Sequence, residues 1–275
     1  MKKFIDNLSG FHPSTDGELL FQHIMSMFIP KEARSQVYQL SYLQIGNRQD
    51  DWPEYYIGVY CFNLLARLIK YAIYTIEDSS IFEVNRYGLM KRYIQTHMEI
   101  AIDRQNQAAI DKLISLSLTA ALASDKKVTS STKQLVAPIH KAIYCYICGV
   151  ALDFSSEDET TKVQYEHIWP RSFGGNSTPD NLLPACALCN HEKGSTLLWQ
   201  DAHVHSFVLR PSPDSEDLKK IQYKEKIAMH RRNIFRKACR DQITLKDAAL
   251  QVGAMNKLIK FQYPDDAVDF FNCTV

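Results

Sequence analysis

Cys145-Tyr-Ile-Cys148, Tyr165-Glu166-His167-Ile168-Trp169-Pro170-Arg171-Ser172-Phe173-Gly174-Gly175, Asn181-Leu182-Leu183-Pro184 and Cys186-Ala-Leu-Cys189-Asn190, closed by Lys193-Gly194, form the stretch that decides how this chain is read. Two Cys-x-x-Cys pairs can set four thiolates at the corners of a tetrahedron, with Zn–S distances of about 2.3 Å. One isolated pair is weak support; two pairs around a coherent segment are strong. With cysteine at all four corners no ligand position is left for water, so a single zinc on Cys145, Cys148, Cys186 and Cys189 is expected to be structural. A unit of roughly fifty residues buries too little surface to fold alone, and the metal would supply the missing stability. The competing reading is coincidental cysteines or another soft metal.

The texture around the pairs is mixed. Val150–Phe154 and Val163–Tyr165 are strand-like and flank the acidic loop 155–160, which reads as a β-hairpin. The second pair opens a helix expected to run to about Trp199, giving a ββα unit held by zinc. Upstream, the pattern is helical. Thr15 can cap a helix over Glu18–Ile29, and Lys31–Ile45, Glu54–Ile76, Ile81–Ile100 and Asn106–Ala123 continue it with apolar residues at helical spacing. The polar run Ser124–Lys133 has no apolar face and marks a boundary, with a short helix within Gln134–Ala142 limited by Pro138. Downstream, His203–Val208 reads as a strand. Helices follow over Glu216–Asp241 and Leu245–Ile259, the second capped by Thr244 with Asp247 at its third position. The expected fold is therefore α+β and predominantly α. It has a helical domain (1–124), a linker and lead-in helix (125–142), the zinc-stapled ββα unit (143–200) and a C-terminal extension with a basic helix (201–275).

Composition sets the class. The chain has 275 residues, a formal charge of +1 and 45% hydrophobic residues, as in ordinary globular proteins. No apolar run approaches the roughly 18 residues of a membrane span. The first residues have no apolar core of a signal peptide, so a cytoplasmic location is expected, where thiols stay reduced. The near-zero net charge hides an asymmetry. Residues 216–241 hold nine basic and four acidic side chains. A basic helix of this kind suits a polyanion, with Arg231, Arg232 and Arg236 as candidate contacts; the bland alternative is a solvated helix face.

The segment between the pairs carries the chemistry. Phosphodiester cleavage needs a base to activate water, a cation to neutralise charge, and a frame that holds both in line. His167 can be the base, since imidazole titrates near neutral pH. Glu166 offers a hard oxygen to a divalent cation and Asn190 an amide oxygen. Mg²⁺ typically takes only one or two protein oxygens, so two ligands suffice. His191 could replace Asn190, but adjacent helical residues point about 100° apart, so only one faces the site. Asn181 can pin the loop after His167 through side-chain to backbone bonds. Arg171 and Lys193 are candidate phosphate contacts, with solvated cations as the alternative.

Glu166-His167-x-x-Pro170-Arg171-Ser172-x-Gly174-Gly175, followed by Asn181-Leu182-x-Pro184-x-Cys186-x-x-Cys189-Asn190-x-x-Lys193-Gly194, closely resembles the HNH endonuclease family. The likeness spans Cys145–Gly194. It implies a ββα-metal fold with His167 as general base and Glu166 and Asn190 on a catalytic Mg²⁺ or Mn²⁺. Asn181 would be the structural middle residue, an asparagine variant of the family's third motif position. The expected activity is hydrolysis of DNA, one strand per site, so a double-strand break needs a homodimer or two events. The family likeness also points to effectors of bacterial phage-defence or restriction systems, with residues 1–124 docking a protein partner. The alternative is a non-cleaving zinc-stabilised module that binds nucleic acid or a partner.

Overall fold

The computed structural model describes residues 10–29, 52–195 and 215–255. The expected helix at 31–45, the strand at 203–208 and the tail beyond 255 lie outside them.

The described part of the N-terminal half is helical. Helix α1 (Asp16–Phe28) starts where Thr15 accepts the Glu18 N–H while the Glu18 side chain accepts the Thr15 N–H, a reciprocal capping box. Helix α2 (Trp52–Glu77), α3 (Glu83–Thr96) and α4 (Gln107–Asp125) follow. α4 packs on α1, α2 and α3. Leu20, Ile24, Leu65, Leu68, Ile69, Ile110, Leu113 and Ile114 are fully buried between them. Apolar residues three and four apart make one stripe per helix, and these stripes face inward.

The run Ser124–Lys133 closes α4 and, after a short irregular stretch at 127–129, opens the next helix. Thr129 accepts the Thr132 N–H and caps helix α5 (Ser130–Val136). This run has no apolar face because it contributes none to the core, but a good cap and tertiary contacts suffice for two turns.

In the second half, strand β1 (Val163–His167) pairs antiparallel with β2 (Leu182–Cys186), from Val163↔Cys186 to His167↔Leu182. This corrects the hairpin reading. Val150–Phe154 makes only isolated bridges, Tyr144↔Ala151 and Asp153↔Lys162. The true partner was hidden because it contains Pro184. Proline cannot donate to a ladder, but its carbonyl here accepts the Tyr146 N–H at 3.0 Å, which ties the first cysteine pair to the sheet. Helix α6 (Ala187–Lys193) follows at once and ends at Gly194, with φ +50°. Helix α7 (Ser215–Asp241) and α8 (Leu245–Val252) complete the described chain. Thr244 caps α8 by accepting the Asp247 N–H.

One hydrophobic core runs through both halves. Its centre is Trp169, fully buried, with its ring 5.5 Å from Phe21, 6.0 Å from Phe62 and 6.3 Å from Phe11. The seam is close. The Gly17 N–H of α1 donates to Gly174 O at 3.0 Å. A Cβ on Gly17 would stand 2.3 Å from Phe173 O, and Gly174 has φ +82°. Only glycine tolerates both demands, the close approach and the left-handed backbone. The helical half is thus built onto the zinc unit.

Candidate active site and zinc centre

The four cysteine sulfurs lie within 4.8 Å of one another. A tetrahedral zinc with Zn–S bonds of about 2.3 Å requires S···S separations near 3.8 Å, and Cys148 and Cys186 stand 3.9 Å apart. The backbone supports the same ion. Cys148 N–H points at Cys145 Sγ and Cys189 N–H at Cys186 Sγ, at 3.5 and 3.4 Å. The thiols cannot all ionise side by side. Hydrogen bonds from Cys148, Cys186 and Cys189 hold Cys145 far below the usual thiol range, while Cys145 first and then Cys148 push Cys186 and Cys189 far above it. A dication removes that conflict by accepting all four thiolates. The residues therefore fit zinc. The Tyr223 hydroxyl on α7 lies 2.9 Å from Cys189 Sγ and supports the ligand from outside, a contact with no sequence signal.

His167 ends β1, half-buried. Its Nε2 lies 3.0 Å from Ser177 Oγ. Burial pulls its pKa below the ordinary value; Glu166 pulls it up, and Arg171 and Lys193 pull it down. The imidazole is therefore mostly neutral at pH 7 and can accept a proton. Behind it, Asn181 is buried and closes on the loop. Its Oδ1 accepts the Trp169 N–H at 2.7 Å, and its Nδ2 donates to Trp169 O and Asn176 O, both at 2.9 Å.

Glu166 points the other way, as alternation along a strand requires. It is 2% exposed. Its Oε1 lies 2.5 Å from Lys193 Nζ, and its Oε2 accepts the Tyr146 hydroxyl. Burial first, then the Glu166 charge, raises the Tyr146 pKa well above its usual value, so the phenol stays a donor. The Asn190 amide donates to the Gln164 side chain, also on this face. A divalent cation does not fit Glu166 as it is arranged here. Both oxygens are engaged, and Lys193 already supplies the positive charge.

Three candidate nucleic-acid contacts are corrected by burial. Lys193 is 1% exposed, Arg231 2% and Arg232 6%, while Arg236 is half-buried. Among the described residues of α7, the basic side chains between 227 and 236 do not form a solvated face, because much of 227–239 packs against α6, α8 and the strand end. Arg231 instead donates to Ile168 O at 2.6 Å, and Lys193 donates to His167 O at 3.2 Å. Two cations thus hold the backbone just after the candidate base. Arg171 is exposed but donates to Ser124 O at 2.6 Å and Asp125 O at 3.3 Å, the carbonyl end of α4.

Residues 145–200 match the family model described as HNH endonuclease. No curated protein and no solved structure matches the chain. The match carries nuclease activity on nucleic acid as its general property, and the zinc-compatible cysteine cluster lies inside it. Among the described residues no helix is long and apolar enough to cross a membrane.

Proposed function

We propose that this chain is an HNH-type endonuclease that hydrolyses DNA, with His167 as the general base. The observation that carries the reading is the placement of His167. It sits at a strand end inside the matched segment, neutral and half-buried, on a loop that Asn181 pins from behind. His167 takes a proton from water as that water attacks the phosphorus. The 3′ oxygen leaves and takes a proton from solvent, giving a 3′-hydroxyl and a 5′-phosphate. One site cuts one strand, so a double-strand break takes two copies or two events. Dependence on Mg²⁺ or Mn²⁺ is proposed from the family. On this geometry it requires Lys193 to leave Glu166 or a ligand set that omits Glu166.

A cytoplasmic effector of phage defence or restriction is the biological setting proposed. A small nuclease with no evident sequence-reading module needs restraint, and the helical half offers surface for a protein partner.

A second reading has two observations in its favour. The closed Glu166–Lys193 pair and the Asn190–Gln164 bond describe a zinc-stabilised module that grips nucleic acid or a partner without cutting. DNA binding and DNA integrity, measured with and without Mg²⁺ or Mn²⁺, separate the two. A nuclease fragments DNA once metal is added. A binder holds it intact in both conditions.

A further inference from the structure

We infer that Ser177 is a positioning residue through which the helical half of the chain fixes the tautomer of His167. The inference rests on the reading of His167 as base. Ser177 Oγ donates to Lys126 O at 2.6 Å and lies 3.0 Å from His167 Nε2. A carbonyl oxygen can only accept, so the single hydroxyl proton of Ser177 belongs to Lys126. The serine oxygen then has only lone pairs for the imidazole, and Nε2 must carry the ring proton. In the neutral ring that leaves Nδ1 as the nitrogen with a free lone pair.

The anchor lies outside the matched segment. Lys126 is the residue that closes α4. Side chains of the loop after β1 bind three consecutive carbonyls at this helix end. Arg171 takes Ser124 and Asp125, and Ser177 takes Lys126. The last carbonyls of a helix lack intrahelical partners, so this end is suited to receive donors. The same loop is held from its other side by α1. Gly17 N–H donates to Gly174 O, Asp16 N–H donates to Asn176 Oδ1 at 3.1 Å, and Asn176 Nδ2 donates to Asp16 Oδ2 at 2.9 Å. Ser177 therefore stands at a fixed point between two helix termini. A shift at the end of α4 reaches the base through two hydrogen bonds.

The test is ¹⁵N NMR of the histidine rings in the zinc-loaded, full-length protein, free of DNA and of other divalent metal. The His167 signals are identified by their loss in H167A. In wild type, His167 should carry its proton on Nε2, and that proton should exchange slowly with water. S177T keeps the hydroxyl and should keep the signal. S177A should speed exchange at least about tenfold and lower kcat roughly 10- to 100-fold, with KM within about twofold, because the base is left free to rotate and change tautomer. A wild-type ring protonated on Nδ1 overturns the inference, and so does an Nε2 proton unaffected in S177A. The wild-type spectrum decides the tautomer even if S177A fails to fold. A Ser177-dependent tautomer in a protein that cleaves no DNA leaves the positioning role intact and removes only the nuclease reading.

Discussion

Lys193 Nζ lies 2.5 Å from Glu166 Oε1, and neither side chain reaches solvent. The carboxylate beside the candidate base is thus neutralised from within the chain. Removing one partner of a buried pair leaves an uncompensated charge, which costs about 3–5 kcal/mol. K193M should lose that much in urea unfolding. The double variant E166Q/K193M should lose clearly less than the two singles added together, because it leaves no orphaned charge. Additive losses contradict a coupled pair.

The four-cysteine site should hold one zinc per chain, seen by metal analysis of the purified protein. Chelation should unfold the unit around it, since the thiolates that the ion gathers repel one another without it. Near-UV circular dichroism should lose the signal of Trp169, whose ring rests on this unit. C186S should reproduce the effect with no chelator. A protein unchanged by zinc removal would refute the structural role.

Trp169 joins the two halves, so W169A should destabilise by about 3–5 kcal/mol. Unfolding should remain one cooperative transition for wild type, with the helical half and the zinc unit melting together. Two separate transitions in wild type would show that the shared core does not couple them.

His230 supplies a pH signature. Its ring is fully buried and its Nε2 donates to Gly253 O at 2.7 Å, while Nδ1 has no partner. Burial pushes its pKa down to about 4, from the usual 6.5. The unfolded chain therefore binds the proton more readily between these values. The contribution is fully present above pH 6.5 and is lost as pH falls towards 4, amounting to about 3 kcal/mol. Stability measured across this window should drop as the pH is lowered from 6.5 towards 4, and H230N should flatten that drop. An unchanged slope in H230N would assign the titration to another group.

Much of this is legible in the sequence. Capping at Thr15 and Thr244, the helical spacing of α1, α2 and α4, and the cysteine pairs are local signals, and local physics writes them in short stretches. What depends on distant pairing was hidden. β2 contains Pro184 and looks like a turn until β1 lies beside it. The candidate base was found, but its support was not. Ser177 is an ordinary loop serine until Lys126 O arrives from α4. Tyr146 and Tyr223 carry no motif. In the sequence Arg231 and Lys193 have the look of surface contacts for phosphate, because basic residues are mostly exposed. Alternation along β1 did hold one clue, since it sets Gln164 and Glu166 on the face opposite His167.

Supercoiled plasmid incubated with the zinc-loaded protein and Mg²⁺ or Mn²⁺, comparing wild type with H167A, tests the central claim most directly. Wild type should nick or linearise the plasmid, and H167A should lose roughly 10²- to 10⁴-fold in rate, the usual contribution of a general base. Equal cleavage by both proteins, or an intact plasmid with folded, zinc-loaded wild type, would contradict it.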